Sequence, residues 1–473
     1  MSALHPTTPR FKQNAREALA NENIQTAMAS AGGGFSKARA SARANMPEFD
    51  DLRDSARDLK DHVLANLADY LEAYETRVQA DGGHVHWAET AEDARRIVLD
   101  ICRKADAKTV NKGKTMISEE CGINDHLEAH GITPVETDLG EYIIQKRGEV
   151  PSHIIAPAIH VTVPEIDALF RREHDHLPEG RHLDHESLQA EARAVLREKY
   201  FAAEVGITGA NMLIAETGQS IIVTNEGNGD LTQSLAKVHI VMASIEKIVP
   251  TLEDAGTVLR VLARSATGQE MSVYTTLSAG PRRAEDTDGP EEYHVVLLDN
   301  GRSNMLGTEF QDMLRCIRCG ACMNHCPVYK SVGGHAYGWV YPGPMGAVLT
   351  PSLIGLEEGR NLPNASTFCG RCEAVCPMRI PLPRMMRAYR AQEYEKGLTP
   401  GTTRRALGAW RWLCTRPATY RRVTGMMTRV LGLLGQWRGN FGWMPLAGGW
   451  TDHRDLPAPP KGGSFQAQWG AKR

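Results

Sequence analysis

The 473-residue sequence lacks any run of 18 or more consecutive apolar residues, so it offers no segment long enough to span a bilayer. Its first residues, MSALHPTTPRFKQNAR, contain no apolar stretch before a small-residue cleavage site, which argues against a secretory signal peptide. Aromatic residues are scarce at 6%, whereas apolar residues make up 42% and charged residues 23% of the chain. This composition is ordinary for a soluble globular protein, and we expect a cytoplasmic chain of about three domains.

A dinucleotide-binding fingerprint is also missing from the sequence. The nearest glycine pattern, Gly227-Asn-Gly229, lacks the third glycine and the strand, turn and helix context of such a fingerprint. Enzymes that remove two electrons from a 2-hydroxy acid normally bind a flavin or a nicotinamide. The sequence gives no sign of such a site.

The small net charge of −3 hides an uneven distribution. Residues 396–473 contain thirteen Lys or Arg but only Asp452 and Asp455, so this tail carries +11 and the preceding residues carry −14. Six of the eight tryptophans also lie in the tail. Apolar residues from Val423 to Trp437 follow helical spacing, with most arginines off that stripe. This pattern favours a helix that packs on the protein or on a partner over a segment that binds nucleic acid.

Four segments are predicted along the chain. Residues 1–64 are predicted to form a helical segment, and residues 65–305 an α/β domain with a largely parallel sheet, because short apolar runs alternate there with helical patterns. Residues 306–395 contain the cysteine-rich domain, and residues 396–473 form the basic, tryptophan-rich tail. Strands are predicted in the α/β domain at residues 84–88, 132–135, 142–144, 212–215, 220–224, 238–242 and 293–298.

Seven of the ten cysteines fall in two short runs, and such crowding points to metal binding and not to disulfides. The first run has Cys316, Cys319, Cys322 and Cys326 followed by proline, which matches the bacterial ferredoxin pattern C-x2-C-x2-C-x3-C-P. The first three thiolates of such a run bind one iron–sulfur cubane. The fourth cysteine binds the other cluster in two-cluster ferredoxins.

The second run, STFCGRCEAVCP, has Ser366 where its first cysteine is expected. A zinc ribbon fits the two runs poorly, because one zinc ion takes four ligands and would leave three cysteines without a role. Crosswise sharing therefore predicts one cluster bound by Cys316, Cys319, Cys322 and Cys376, and a second bound by Cys326, Cys369, Cys372 and a fourth group.

The sequence leaves the fourth ligand of the second cluster open. Ser366 has the right register, whereas Cys414 in the tail offers the softer atom that iron prefers. A water molecule or a residue of a partner subunit could fill the same position, and a three-iron cluster would need no ligand there. Cys102 and Cys121 lie in the α/β domain and are interpreted as buried small apolar residues. Histidines at positions 174, 176, 182 and 185 are interpreted as part of a solvated loop and not as a metal site.

Glycine and aromatic residues dominate the stretch GGHAYGWVYPGPMGAVLTP, in which Tyr337, Trp339 and Tyr341 are predicted to exclude water from a cluster. Together with CIRCGACMNHCPVY and CGRCEAVCP, and with an α/β domain before them, this stretch resembles the iron–sulfur subunit of the bacterial L-lactate utilisation system. The resemblance covers nearly the whole chain. It implies a lactate-utilisation (LUD) domain similar to NagB/CoA-transferase-like folds, a helical two-cluster ferredoxin-type segment and a C-terminal tail.

The resemblance also implies two 4Fe–4S clusters, a second run that is commonly short of one cysteine, and an assembly that oxidises L-lactate to pyruvate. The implied partners are a cysteine-rich subunit, a second LUD-type subunit and an unidentified electron acceptor. We therefore expect a non-catalytic electron-transfer subunit without a transmembrane segment. No nucleic acid is expected as a partner.

Two other functions are considered. The chain could be a catalytic subunit with a pocket for lactate or another 2-hydroxy acid in its α/β domain, or an assembly scaffold with structural clusters. Lys112 and Lys114 alternate along a strand as exposed charges do, and the other two polar groups fit ordinary turns. The candidate polar groups are Lys112, Lys114, Glu216 and Asn225.

Overall fold

The computed structural model describes residues 5–31, 33–174, 183–444, 447–451, 454–460 and 463–470. Residues 1–392 form one compact unit, and residues 393–473 form a second. Over these described stretches, every helix is too short or too polar to cross a membrane.

Amphipathic helices precede the sheet, as the sequence predicts. Tyr74 and Val63 on two of these helices are fully buried and pack on one face of the sheet with Tyr293. The helices are α1 (Phe11–Ala20), α2 (Glu22–Ala31), α3 (Gly34–Ala44), α4 (Phe49–Ala65) and α5 (Leu67–Ala80).

The α/β domain is built on a parallel sheet with the strand order β1-β10-β7-β4-β2-β3. Its central strand β7 is buried at every position, as expected for a parallel strand with helices on both faces. The strands of the first unit are β1 (His84–Ala88), β2 (Thr109–Lys112), β3 (Thr133–Glu136), β4 (Val205–Gly209), β5 (Met212–Ile214), β6 (Ser220–Thr224), β7 (Val238–Ser244), β8 (Ile248–Val249), β9 (Tyr274–Ser278) and β10 (Glu292–Leu298).

Helices of this domain begin at side-chain caps that their sequences provide. The Thr90 hydroxyl accepts the backbone N–H of Asp93, and Thr251 and Asp254 repeat this capping box. The helices are α6 (Ala91–Lys104), α7 (Met116–Cys121), α8 (Ile123–Ala129), α9 (Leu139–Arg147), α10 (Val163–Glu173), α11 (His185–Ala202), α12 (Asn228–Leu235) and α13 (Leu252–Ala266).

Two details of the predicted sheet are wrong. The run 142–144 lies in helix α9, which Asp138 caps by accepting the N–H of Glu141, because apolar residues at adjacent positions also fit a buried helical face. The runs 212–215 and 220–224 form strands, but these belong to a separate mixed sheet with the order β8-β5-β6-β9.

The cysteine-rich region consists of short helices joined by tight turns. Its helices are α14 (Ala321–Asn324), α15 (Pro327–Val332), α16 (Gly343–Ile354), α17 (Leu356–Gly359), α18 (Asn361–Asn364), α19 (Arg371–Val375) and α20 (Leu382–Glu395). The second unit contains α21 (Gly401–Cys414), α22 (Pro417–Gly435), β11 (Asn440–Phe441), α23 (Gly448–Thr451), β12 (Leu456–Pro457) and α24 (Phe465–Gly470).

A buried charge network joins the α/β domain to the cysteine-rich region. Arg302 donates two hydrogen bonds to Glu120, at 2.9 and 2.6 Å, and its Nε lies 3.2 Å from Glu246. Arg318 pairs with the other oxygen of Glu246 at 3.3 Å, and Tyr341 donates to Glu120 at 2.6 Å. Two carboxylates and two guanidinium groups thus balance each other in a buried site.

We predict that Glu120→Ala lowers the free energy of unfolding by about 3 to 5 kcal/mol, because it leaves the buried guanidinium of Arg302 short of a counter-charge. Burial alone would raise the pKa of Glu120, but the charge of Arg302 outweighs burial and lowers it, so this carboxylate is ionised at neutral pH. Urea denaturation of the cluster-loaded chain measures the change. Glu291→Ala removes the exposed pair with Arg282 and should cost less than about 1 kcal/mol; equal losses would contradict the prediction.

Candidate metal centre

The first cysteine run forms a tight loop followed by the one-turn helix α14. Arg318 and Gly320, on either side of Cys319, both have left-handed backbones, with φ of +58° and +70°. This conformation turns the chain sharply, so that Cys316, Cys319 and Cys322 line one cavity. Most other side chains on its wall are apolar, which suits a cluster that must be shielded from water.

The second run repeats this backbone. Phe368 and Gly370, on either side of Cys369, have φ of +54° and +77°, and helix α19 follows as α14 does in the first loop. Ser366 therefore occupies the position that corresponds to Cys316. The repeated geometry supports the predicted register of the incomplete run.

Cys376 lies with the first run, although it belongs to the second. It completes the cysteine lining of the first cavity. Burial, followed by the nearby thiols of Cys316, Cys319 and Cys376, raises the pKa of Cys322 well above its ordinary value. Such thiols lose their protons when they bind a cationic metal centre, so this donor set fits an iron–sulfur cluster.

A second group of thiols forms around Cys326. Burial raises the pKa of Cys326, and the Cys369 thiol adds to this effect. Burial also raises the pKa of Cys372, and the Cys326 thiol adds the next largest effect. Cys369 differs because it is exposed, and the backbone N–H of Arg371 lowers its pKa. Cys326, Cys369 and Cys372 thus lie close enough to influence one another's pKa.

The loop around Ser366 is held by hydrogen bonds and by ring stacking. The Ser366 hydroxyl accepts the N–H of Phe368 at 3.1 Å, and its carbonyl accepts from Arg390 at 3.3 Å. The guanidinium of Arg390 also lies 4.1 Å from the centre of the Phe368 ring. Cys414, the other candidate ligand within the chain, ends helix α21 in the second unit and is exposed.

The N-terminal helices hold the end of the second run. Arg53 is buried and donates to the carbonyl oxygens of Cys376, at 2.7 Å, and of Ala374, at 2.9 Å. Arg39 donates to the carbonyl oxygen of Val375 at 2.9 Å. These arginines place positive charge beside a predicted ligand, and no pattern in the cysteine region itself indicates them.

Comparisons with known proteins agree with this geometry. Residues 71–298 match the LUD domain, residues 312–380 the 4Fe-4S dicluster domain, and residues 392–472 the C-terminal domain of lactate utilisation protein B. Lactate utilization protein B of Bacillus subtilis (strain 168) is 40% identical over 96% of this chain and 95% of its own length. The Bacillus licheniformis protein of the same name is 40% identical over 96% and 95%. The chain belongs to the lactate utilization protein B family.

Another relative, the uncharacterized electron transport protein YkgF of Escherichia coli (strain K12), is 40% identical over 94% of each chain. The dicluster match covers both cysteine runs and makes this member of the lactate utilization protein B family an iron–sulfur protein. Its aromatic loop agrees with the predicted shielding role. Tyr337, Trp339 and Tyr341 are all buried, and Tyr337 lies beside Cys326.

Beside the first cavity, the LUD domain contains a pocket of about 600 Å³. Ile154 and Arg318 line both the pocket and the cysteine-lined cavity, so the two spaces share a wall. Of the four candidate polar groups in this domain, Lys114 and Asn225 line the pocket. Glu216 is exposed elsewhere.

The expectation that Lys112 is an exposed strand charge is wrong. Its side chain is 1% exposed and forms ion pairs with Glu119 and, at 2.7 Å, with Glu136. Burial alone would lower the pKa of Lys112, but the charges of these two carboxylates outweigh burial and raise it. A lysine that is charged and fully paired in this way stabilises the domain and leaves no free amine for catalysis.

His185 is exposed, as expected for a solvated segment, but one histidine of the LUD domain differs from that expectation. His174 is buried, with Nδ1 2.6 Å from Glu191 and Nε2 3.0 Å from the Tyr142 hydroxyl. His176 and His182 lie outside the described residues. A tighter group that the sequence does not reveal joins Glu149, His160 and His335, whose ligand atoms lie within 4.8 Å of one another. Arg147 already neutralises Glu149 at 3.0 Å, so this group fits a structural hydrogen-bond network.

Proposed function

We propose that this protein is the iron–sulfur electron-transfer subunit of an assembly that oxidises L-lactate to pyruvate. The observation that carries the proposal is the cavity in which Cys376 of the second run joins three cysteines of the first. In this proposal Cys316, Cys319, Cys322 and Cys376 bind one 4Fe–4S cluster, and Cys326, Cys369 and Cys372 bind the other. When bound, such clusters accept and release single electrons.

The protein residues supply binding, shielding and charge compensation for this role. Arg53 and Arg39 offset the negative charge of thiolates near Cys376, and the buried Tyr337 excludes water near Cys326. The proposal assigns no catalytic residue to this chain. It includes a NagB/CoA-transferase-like origin for the LUD domain, a cytoplasmic location, and partners that comprise a cysteine-rich subunit, a second LUD-type subunit and an electron acceptor.

Two competing functions make different predictions. A catalytic subunit would oxidise lactate in the pocket beside the first cavity, which has suitable polar groups at Lys114 and Asn225. An assembly scaffold would contain clusters that need not be reversibly reduced and reoxidised. Redox titration separates the scaffold from the carrier, because only a carrier requires reversible reduction.

Crosswise ligation predicts that Cys376→Ala and Cys319→Ala remove the same cluster, whereas Cys326→Ala removes the other. Electron paramagnetic resonance of the reduced, anaerobically reconstituted chain measures this outcome. Cys102→Ala is the matched control, because Cys102 is buried in the α/β domain away from both runs. Loss of different signals in Cys376→Ala and Cys319→Ala would rule out the crosswise arrangement.

The same spectra identify the fourth ligand of the second cluster. If the serine oxygen binds iron, Ser366→Ala changes that cluster's signal and Cys414→Ala leaves it unchanged. If Cys414→Ala changes the signal and Ser366→Ala does not, the fourth ligand is Cys414 of the tail. No change in either variant would leave water, a partner residue or a three-iron cluster as the explanation.

The relay role predicts that the isolated, reconstituted chain contains two reducible clusters but does not reduce a dye with L-lactate. Dithionite serves as the positive control, since it reduces the clusters without any substrate site. Lactate-dependent dye reduction by this chain alone would contradict the relay role and favour a catalytic subunit.

Apolar side chains on helix α22 suggest how the subunit joins its partners. Met427, Val430 and Leu434 of the predicted stripe, together with Leu433, are half or more exposed, and Leu434 reaches 69%. The surrounding tail carries a net charge of +11. We propose that this face binds an acidic surface of another subunit, because opposite charges speed association and apolar contact stabilises the complex.

We predict that Leu433→Asp combined with Leu434→Asp abolishes co-purification with the partner subunits while both clusters remain. Raising the salt concentration should weaken the wild-type complex, because screening reduces the charge attraction. Met271→Asp is the control, since Met271 is 81% exposed but lies outside the tail. Unchanged co-purification of the double variant would exclude this docking surface.

A further inference from the structure

The 600 Å³ pocket of the LUD domain lies against the first cysteine group. Besides the shared wall of Ile154 and Arg318, Lys247 lines the pocket and interacts electrostatically with Cys316. A ligand in this pocket would therefore be separated from the first cluster by side chains of a single wall. Such closeness favours a ligand that exchanges electrons with the cluster.

Several residues that line the pocket carry hydrogen-bond donors. Lys247 is 7% exposed and lines the pocket together with Lys114 and Arg318, so three cationic side chains border one space. Asn228 is 4% exposed and its Nδ2 lacks a partner, as does the buried Oγ1 of Thr224. Cationic side chains and amide groups along one space favour a ligand that is rich in acceptor atoms.

Titratable side chains also line the pocket. Asp138 lies 3.8 Å from the Lys114 ammonium, and both side chains remain partly exposed to water. Glu226 faces Asp138, and burial of its carboxyl group, with the charge of Asp138, raises the pKa of Glu226. The residue as a whole is exposed, so solvent weakens this effect. The pocket thus borders both the cysteine-lined cavity and a group of titratable side chains.

The size and walls of the pocket suit a ligand larger than lactate. A volume of about 600 Å³ is typical of sites for cofactor-sized molecules and far exceeds a three-carbon acid. Apolar side chains, including Ile155, Met242 and Leu262, cover much of the wall. A flat aromatic ring with hydrogen-bond acceptors along its edge fits a pocket whose wall combines apolar and polar side chains.

We propose that this pocket binds a flavin, with its ring beside the wall that carries Arg318 and Lys247. The inference rests on the proposed electron-transfer function. It adds the step in which a two-electron carrier passes its electrons one at a time to the clusters. A flavin needs no dinucleotide fingerprint when it is bound as the mononucleotide, which agrees with the missing glycine pattern at Gly227 and Gly229.

The electron and proton balance closes when the two clusters reoxidise the flavin. A reduced flavin has two electrons and two protons to release when it returns to the oxidised state. One electron goes to each of the two proposed clusters, so both electrons are accounted for. Both protons leave to water past the partly exposed side chains of Asp138 and Lys114.

The experiment titrates flavin mononucleotide into the anaerobically reconstituted full-length chain and follows flavin fluorescence. We expect saturable quenching at one flavin per chain. Lys247→Met should weaken binding about tenfold or more, because it removes a charge-assisted hydrogen bond. Ala156→Trp, which fills the pocket from its wall, should abolish saturable binding, and Lys237→Met, at an exposed position of the same domain, should not change it.

Equimolar reduced flavin mononucleotide provides a second readout. It should reduce the clusters faster in the wild-type chain than in Ala156→Trp, while dithionite reduces both equally. Absence of saturable flavin binding in a chain whose clusters still accept electrons from dithionite would overturn this inference and leave the proposed function intact. Binding that neither pocket variant weakens would also overturn it, as would saturable binding of menadione or L-lactate in place of the flavin. Clusters that fail to form or to be reduced would instead overturn the proposed function.

Discussion

The network of Glu120, Arg302, Glu246 and Arg318 is the constraint on which the first metal centre depends. Arg318 is a residue of the cluster loop itself and has a left-handed backbone, while Glu246 follows the central strand β7. Their pairing fixes the loop against the end of the sheet. Because these charges are buried, removing any one leaves another without compensation, so the α/β domain and the cluster loop cannot shift independently at low cost.

The proposed crosswise sharing of cysteines places a second demand on the fold. Cys376 must reach the cavity of a loop that lies far from it in the sequence, and Arg53 and Arg39 from the N-terminal helices hold its backbone there. Contacts between segments so distant in sequence form late, because closing long loops costs entropy. Metal binding would stabilise the same contacts, which couples folding of the first unit to loading of its metal centre.

The sequence predicted those parts of the fold that depend on residues close together in the chain. The cysteine spacing predicted the loop register, which depends on residues a few positions apart, just as the start of helix α6 depends on Thr90 and Asp93. Tertiary contacts decided the rest. In the sequence Lys112 resembles an exposed charge, and only the fold reveals its ion pairs with Glu119 and Glu136. The apolar run 142–144 is compatible with a strand and equally with the buried face of helix α9. Neither Arg53 nor the pocket residue Lys247 carries any recognisable pattern, since their roles arise only where distant elements meet.

The two cysteine groups differ in their surroundings, and this difference gives the proposed relay a direction. The first group lies behind the wall of the LUD pocket, next to Arg318 and Lys247. In the second group Cys369 is exposed, and Ser366 stands where the first cysteine of the run is expected. Electrons that enter beside the pocket would leave most directly through the cluster nearest the surface, where another protein can approach it. The missing cysteine thus lies at the exit of the relay, where solvent and a partner most readily influence the reduction potential.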